Sequence, residues 1–125
     1  MKSLTTKILE SCRSHLDEIV AIRRDIHMYP ETGFDVHRTA DIVVNQLQNL
    51  GLEVKTGIGQ TGVVADLEIS AATKRIGLRA DMDALPMQEL GDSAYKSRID
   101  GKAHMCGHDA HTAMLIGAVK IISQL

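Results

Sequence analysis

The segment 113–125 constrains the fold more than any other part of the chain, because it leaves hardly any polar face. Its apolar positions are Ala113, Met114, Leu115, Ile116, Ala118, Val119, Ile121 and Ile122. A helix that is apolar nearly all round lies inside a core and not on a surface. The chain has 125 residues, which suits one domain with a modest core. We therefore expect other structure to cover this segment, and the chain to be cut from a larger domain.

Two amphipathic helices are predicted at the start of the chain. Apolar residues recur at spacings of three and four from about residue 4 to residue 27, and Pro30 and Gly33 end that helix in a turn. The second helix has Asp35 as its predicted cap and Gly51 as the glycine that stops it.

The character of the sequence then changes to short β patterns. Strands are predicted at 52–55, 62–69 and 75–81, with a turn at 70–74. The order helix, helix, strand, strand, strand, helix predicts an α/β fold, in which a mixed sheet is flanked by helices.

The glycines of residues 57–62 match the spacing of a dinucleotide-binding loop, G-x-G-x-x-G. That motif requires a helix directly after the glycines, so that the helix N-terminus can hold a pyrophosphate. A β-branched strand follows here instead. We therefore predict a hairpin-type loop at this place and no nucleotide site.

The richest chemistry lies in residues 101–112, ahead of the apolar segment. Its candidate ligands are His104, Cys106, His108, Asp109 and His111. Thiolate and imidazole are leading ligands of Zn²⁺ and its transition-metal neighbours, and this density favours a metal site over isolated structural histidines. The competing functional hypothesis is a thiolate nucleophile at Cys106, activated by a neighbouring histidine and by the helix N-terminus. Of the other histidines, His15 and His37 are interpreted as surface or packing residues, and His27 is left unassigned.

Two carboxylates end the last predicted strand, where sheets of α/β proteins usually keep their sites. Strand alternation puts Arg79, Asp81 and Asp83 on one face. The aspartates could bind a metal directly, or accept the free N–H of a histidine that does so. A solvated pair of Arg79 with an aspartate is equally compatible with the pattern.

Composition excludes several classes of function. The net charge of -2 and the 2% aromatic content argue against nucleic-acid binding. No apolar run approaches the roughly 20 residues that span a bilayer, and the N-terminus lacks the apolar region of a signal peptide. Cys12 and Cys106 give no disulfide framework, so we expect a cytoplasmic protein with neither membrane nor nucleic-acid partners.

Several motifs together resemble the N-terminal part of M20-type metallo-amidohydrolases, in the branch of hippurate hydrolases, N-acyl-amino-acid amidohydrolases and auxin-conjugate hydrolases. They cover nearly the whole chain in the family's order. The carrying motifs are IRRDIH at 22–27 with YPE at 29–31, GIGQTGVV at 57–64, GLRADMDALP at 77–86, DGK at 100–102 and CGHDAHTAM at 106–114.

This resemblance implies a zinc-exopeptidase-like catalytic domain with two divalent metals, which could be Mn, Zn, Co or Ni. It makes Cys106 and His108 metal ligands, and it leaves Asp83, Asp81 and His111 as residues that support the ligands. Other branches have His-x-Asp where this chain has Asp81-Met82-Asp83. Asp81 thus replaces the histidine of those branches, and the resemblance does not make it a direct metal ligand. The implied reaction is hydrolysis of the amide bond of N-acyl amino acids, which are small-molecule substrates.

The resemblance also implies that residues 1–125 are an incomplete catalytic domain. The family's general-base Glu and its further ligands are expected beyond Leu125, and so is the lid domain that would carry a homodimer contact. No catalytic residue is therefore assigned within the chain, which is predicted to be inactive alone and to bind metal weakly. The alternatives are a truncated, non-catalytic product and a hydrolase with Cys106 as its nucleophile.

Overall fold

The computed structural model describes residues 1–69 and 73–125. Within them the chain forms α1 (Leu4–Met28), α2 (His37–Asn49), β1 (Val54–Ile58), β2 (Gly62–Ala65) and α3 (His108–Ile122). Helix α1 agrees with the predicted first helix, and its N-terminus is capped by the Ser3 hydroxyl, which accepts the N–H of Thr6 at 3.2 Å. Part of the predicted turn at 70–74 lies outside the described residues.

The core lies between α1 and α3. Ile22 and Ile26 of α1 pack with Ala113 and Ile116 of α3, and all four are buried. Gly117 lets the two helices approach closely, because a Cβ at that position would lie 3.2 Å from Cδ1 of Ile19. This packing holds the first turn of α3 against the C-terminal half of α1.

Helix α2 is capped by a residue other than the predicted one. The prediction of Asp35 as the cap is wrong: the side chain of Asp35 is exposed, and the N-cap position belongs to Val36, which makes no side-chain cap. The carboxylate of Glu31 replaces it, accepting the N–H groups of Arg38 at 2.9 Å and Thr39 at 2.7 Å. A carboxylate at this place is favoured because the N-terminal N–H groups of a helix are unpaired and carry partial positive charge.

The predicted end of α2 is confirmed at Gly51, which has φ +78°. Its N–H donates to the carbonyl of Gln48 at 2.8 Å, and the N–H of Leu52 donates to the carbonyl of Leu47 at 3.2 Å. This pair of bonds is a Schellman motif, which satisfies the last carbonyls of the helix through a left-handed glycine.

Strands β1 and β2 form an antiparallel hairpin in which Val54 pairs with Ala65 and Ile58 with Gly62. The backbone has positive φ at Gly57 near the end of β1 and at Gly59 and Gln60 in the connecting loop. The glycine-rich segment is therefore a hairpin loop, as predicted. Strand β2 ends at Ala65 and not at the predicted residue 69.

The predicted third strand at 75–81 is wrong for this structure. Residues 73–83 have no regular secondary structure, and Ile76 and Leu78 are 87% and 57% exposed. A strand needs a neighbour to bond with, and no other part of the described chain pairs with 75–81. Pairing starts just after it, where Ala84 makes a parallel bridge to Thr32 and Leu85 an antiparallel bridge to Ala103.

One face of α3 is buried, which is less than the apolar sequence predicts. Ala113, Ile116 and Gly117 are buried, whereas Met114 is exposed. Leu115, Val119 and Ile122 border an open groove of about 1500 Å³ between α2, α3, the hairpin and residues 73–83. Among the helices that the structure describes, none combines the length and the apolar character needed to cross a membrane.

Candidate metal centre

The turn that carries the predicted ligands depends on Gly107. This residue is the N-cap of α3 and has φ +99°, a left-handed conformation that strains any residue with a Cβ. The glycine allows the chain to pass from Cys106 into the helix within one residue, so that His108 stands at the first helical position.

The His108 ring is oriented by Asp83. Nδ1 of His108 lies 2.9 Å from the backbone oxygen of Asp83 and 3.0 Å from its Oδ1. Both partners are acceptors, so Nδ1 carries the proton and donates it to them. The lone pair of the neutral imidazole is then on Nε2, which is the nitrogen left available to a metal.

Asp81 and His111 stand beside that nitrogen. One ligand atom of each, together with one of His108, lies within 4.8 Å of the others. Asp81 Oδ2 is 4.0 Å from Nε2 of His108, and Asp81 Oδ1 is 3.7 Å from Nδ1 of His111. Two imidazoles and one carboxylate suit Zn²⁺ and its transition-metal neighbours, so the donor set fits a divalent metal.

The electrostatics keep Asp81 ionised. Desolvation by burial raises the pKa of Asp81, but the Arg79 guanidinium at 3.2 Å, the His108 imidazole and hydrogen bonds lower it by more, so the net shift is downward. The backbone of the same residue is tied to α3, since the Thr112 hydroxyl donates to the Asp81 carbonyl at 2.8 Å.

The structure brings together four of the five predicted site residues: His108, Asp83, Asp81 and His111. Cys106 lies one residue before Gly107 with an exposed thiol, and it is outside the group of three converging side chains. His108 and His111 share a face of α3 at a ring-centroid distance of 5.5 Å, as their spacing predicts.

Asp109 and His104, also weighed as ligands, are turned into the protein. The Asp109 side chain is 0% exposed, and its Oδ2 is 2.7 Å from both Nε of Arg23 and Nδ1 of His27. His104 is 3% exposed, neither of its ring nitrogens has a hydrogen-bond partner, and burial is the main cause that lowers its pKa.

The residues that sequence reasoning missed are those that surround Asp109. The sequence pattern predicts no role for His27, Arg23 or Glu89. The available signal was the spacing of Arg23 and His27, which puts both side chains on one face of α1 beside Tyr29-Pro30-Glu31. Their partner, Asp109 of α3, is 82 residues away from His27, and no periodicity in the sequence predicts this contact.

Comparison with known proteins confirms the predicted resemblance. Residues 77–125 match the model of peptidase family M20/M25/M40. The chain is 42% identical to a putative amidohydrolase, YhaA, of Bacillus subtilis over 94% of this chain and 29% of that protein. It is 48% identical to the hippurate hydrolase of Campylobacter jejuni over 85% of this chain and 28% of that protein. The chain therefore spans less than a third of these relatives.

A solved structure confirms the α/β fold class. The YXEP protein of Bacillus subtilis is described as a dinuclear metal-binding peptidase of the M20 family. It matches 90% of this chain with a TM-score of 0.85 and 34% sequence identity, and this match covers 32% of that protein. The arrangement of helices and hairpin found here thus matches about a third of that structure.

Proposed function

This chain is related in sequence and in fold to the peptidases of family M20/M25/M40, and on that basis we propose that its protein is a two-metal amidohydrolase of N-acyl amino acids. Residues 1–125 form the N-terminal part of its catalytic domain in this proposal. The observation that carries it is the His108 ring, held by Asp83 with Nε2 directed to Asp81 and His111. The hippurate hydrolase relative supports the substrate class.

The proposed metal ligands are Cys106 and His108. Asp83 fixes the tautomer and the orientation of His108, and Asp81 and His111 supply charge and imidazole beside it. The mixed thiolate, imidazole and carboxylate set suits Zn²⁺, Mn²⁺, Co²⁺ or Ni²⁺. Bound metals of this kind polarise an amide carbonyl and lower the pKa of a bound water.

The chain's own carboxylates at this site are occupied as acceptors. Asp83 accepts from His108, and Asp81 is shared between His108, His111 and Arg79. Neither is therefore placed to take a proton from a water, so general-base catalysis is assigned to a part of the protein outside these residues. On this ground the chain alone is proposed to lack activity. It is also proposed to bind metal weakly, because it holds two of the proposed ligands and a catalytic site normally has at least three protein ligands per metal.

Cobalt binding tests the ligand assignment directly. Titration of the chain with Co²⁺ should produce a thiolate-to-cobalt charge-transfer band in the near ultraviolet, because a cysteine sulfur is then bound to the metal. The band should disappear in Cys106→Ser and persist in Cys12→Ser, a matched control at the other exposed cysteine. Cobalt binding without this band would remove Cys106 from the ligand set.

Hydrolysis tests the reaction. The longer protein that contains this chain should release glycine from hippurate in the presence of divalent metal and not after chelation. His108→Gln should abolish turnover. Undiminished activity in the presence of chelator would contradict the two-metal mechanism.

A thiol nucleophile is the second candidate, because Cys106 is exposed and immediately precedes the N-cap of α3. A helix N-terminus favours the thiolate form of a nearby cysteine. Iodoacetamide labelling distinguishes the two functions: metal should protect Cys106 if it is a ligand, and should leave its labelling rate unchanged if it is a nucleophile.

The partners and location that accompany this proposal are simple. The substrate is a small molecule, the free thiols of Cys12 and Cys106 suit the reducing cytoplasm, and a homodimer would be formed by other parts of the protein. Size-exclusion chromatography with light scattering on the longer protein would test the dimer.

A further inference from the structure

A buried network of charged side chains lies behind the metal-binding turn. Its centre is Asp109, the residue directly after His108 and the first acidic residue of α3. Oδ2 of Asp109 is 2.7 Å from Nε of Arg23 and 2.7 Å from Nδ1 of His27. Both partners come from α1, so these bonds join the start of α3 to the C-terminal half of the first helix.

The other side of the His27 ring faces a second buried carboxylate. Nε2 of His27 is 3.3 Å from Oε1 of Glu89, which is 8% exposed. Oε2 of Glu89 accepts the N–H of Ser97 at 2.7 Å, and the Ser97 hydroxyl donates to the carbonyl of Lys102 at 2.7 Å. This arm therefore ties His27 to the loop that leads into the turn.

Both ring nitrogens of His27 thus face carboxylate oxygens, which can only accept hydrogen bonds. The Tyr95 ring stands edge-on to His27 at 5.4 Å and accepts the Arg23 guanidinium on its face at 5.1 Å. His27, Asp109 and Glu89 are buried in this network, whereas the Arg23 side chain is 31% exposed.

We propose that Arg23, His27 and Asp109 are positioning residues, which hold the first turn of α3 so that His108 and Cys106 present their donor atoms in a fixed arrangement. The inference rests on the proposed function for its metal, and on the geometry above for its mechanism. Asp109 shares the peptide backbone with His108, so a displacement of its carboxylate displaces the ligand. Partners of this kind around metal ligands affect metal affinity by about 10–100-fold.

The two arms of His27 can be separated by two isosteric substitutions. His27→Asn keeps an amide donor near the position of Nδ1 and so retains the bond to Asp109. His27→Gln keeps a donor near the position of Nε2, so it retains Glu89 and loses Asp109. Both variants remove the same buried imidazole, so a purely structural role predicts the same effect for both.

Two measurements on each variant test the proposal. The first needs no metal: hydrogen exchange of the His111 amide, which bonds to the Gly107 carbonyl at 3.0 Å, should accelerate in His27→Gln and stay near wild type in His27→Asn. The second is Co²⁺ affinity, which should fall by roughly 10–100-fold in His27→Gln and little in His27→Asn. Equal behaviour of the two variants in both measurements would overturn the proposal.

A second pair of variants applies if either His27 variant does not fold. Asp109→Asn should accelerate His111 exchange, and Glu89→Gln should not, because Glu89 contacts the loop and not α3. Exchange that accelerates in Glu89→Gln as much as in Asp109→Asn would again overturn the proposal. If the longer protein that contains this chain binds no Co²⁺ at all, the proposed metal function fails, while the exchange data still decide the positioning role.

Discussion

His108 and His27 are both held by carboxylates, yet only one of them is free to bind a metal. His108 gives one nitrogen to Asp83 and keeps the other, at a site that is partly open to solvent. Nδ1 of His27 faces Asp109 and Nε2 faces Glu89, and the ring is buried. The comparison shows that a histidine is available to a metal when an acceptor orients one ring nitrogen and the second nitrogen has no close acceptor.

The largest expected effect is on the stability of the fold, at the buried carboxylate of Asp109. Asp109→Asn leaves Arg23 and His27 without their buried counter-charge, and breaking a buried pair costs about 3–5 kcal/mol. Urea unfolding followed by circular dichroism should measure this loss. The control is Asp35→Asn, an exposed carboxylate that should change the free energy of unfolding by less than about 0.5 kcal/mol. Similar losses in the free energy of unfolding of the two variants would contradict a stabilising role of the buried Asp109 carboxylate.

At the partly exposed His108 site, a substitution is expected to lower metal affinity and to leave the stability of the fold unchanged. His108→Gln should lower Co²⁺ affinity by more than about 100-fold, since it removes a direct ligand of the proposed site. The free energy of unfolding without metal should change little, because the ring is only partly buried. Isothermal titration calorimetry and urea unfolding check the two halves. A large loss of stability would place His108 with His27 as a structural residue.

Asp83→Asn should have a smaller effect on the same site. The amide can accept from Nδ1 of His108 but supplies no negative charge, so Co²⁺ affinity should fall by roughly 10–100-fold. Calorimetric titration beside His108→Gln provides the ranking. An affinity loss as large as that of His108→Gln would make Asp83 a ligand in its own right.

The pH dependence should also differ between the regions. The N–H of Ser97 is the main cause that lowers the pKa of Glu89, ahead of burial, which raises it, and of His27. A lowered pKa means that ionised Glu89 stabilises the fold above its usual pKa of about 4.5, and that this stability is lost as the pH falls through the folded-state value. Acid unfolding should therefore be less steep below about pH 4.5 in Glu89→Gln than in wild type. An unchanged slope would show that the Ser97 bond does not favour the ionised form.

The smallest effect is expected at Arg79. Its pair with Asp81 is exposed on the arginine side, so Arg79→Gln should leave the free energy of unfolding nearly unchanged. Without the competing cation, Co²⁺ affinity should rise slightly. A fall in affinity would mean that Arg79 orients Asp81 and does not merely neutralise it.

Local signals predicted much of this molecule. The spacing of apolar residues predicts α1, Gly51 predicts the end of α2, and the glycines at 57–62 predict the hairpin, because each depends on nearby residues. The density of His and Asp at 101–112 likewise predicts the site around His108.

Features that depend on distant partners were missed. The pattern at 75–81 has the alternation of a strand, but a strand forms only where a neighbour bonds to it. Asp35 has the right chemistry for a cap, yet Glu31 reaches the same N–H groups from the preceding turn. The role of His27 follows from Asp109 and Glu89, which are 82 and 62 residues away.

The contact of His108 with the backbone of Asp83 has a thermodynamic consequence. Nδ1 bonds to the Asp83 carbonyl as well as to its carboxylate, and the Thr112 hydroxyl bonds to the carbonyl of Asp81. Side chains of a helix thus occupy acceptors that a neighbouring strand would otherwise fill. An ion that restrains the His108 ring also restrains the main chain of residues 81–83. Metal binding and the ordering of these residues are therefore thermodynamically coupled, and each favours the other.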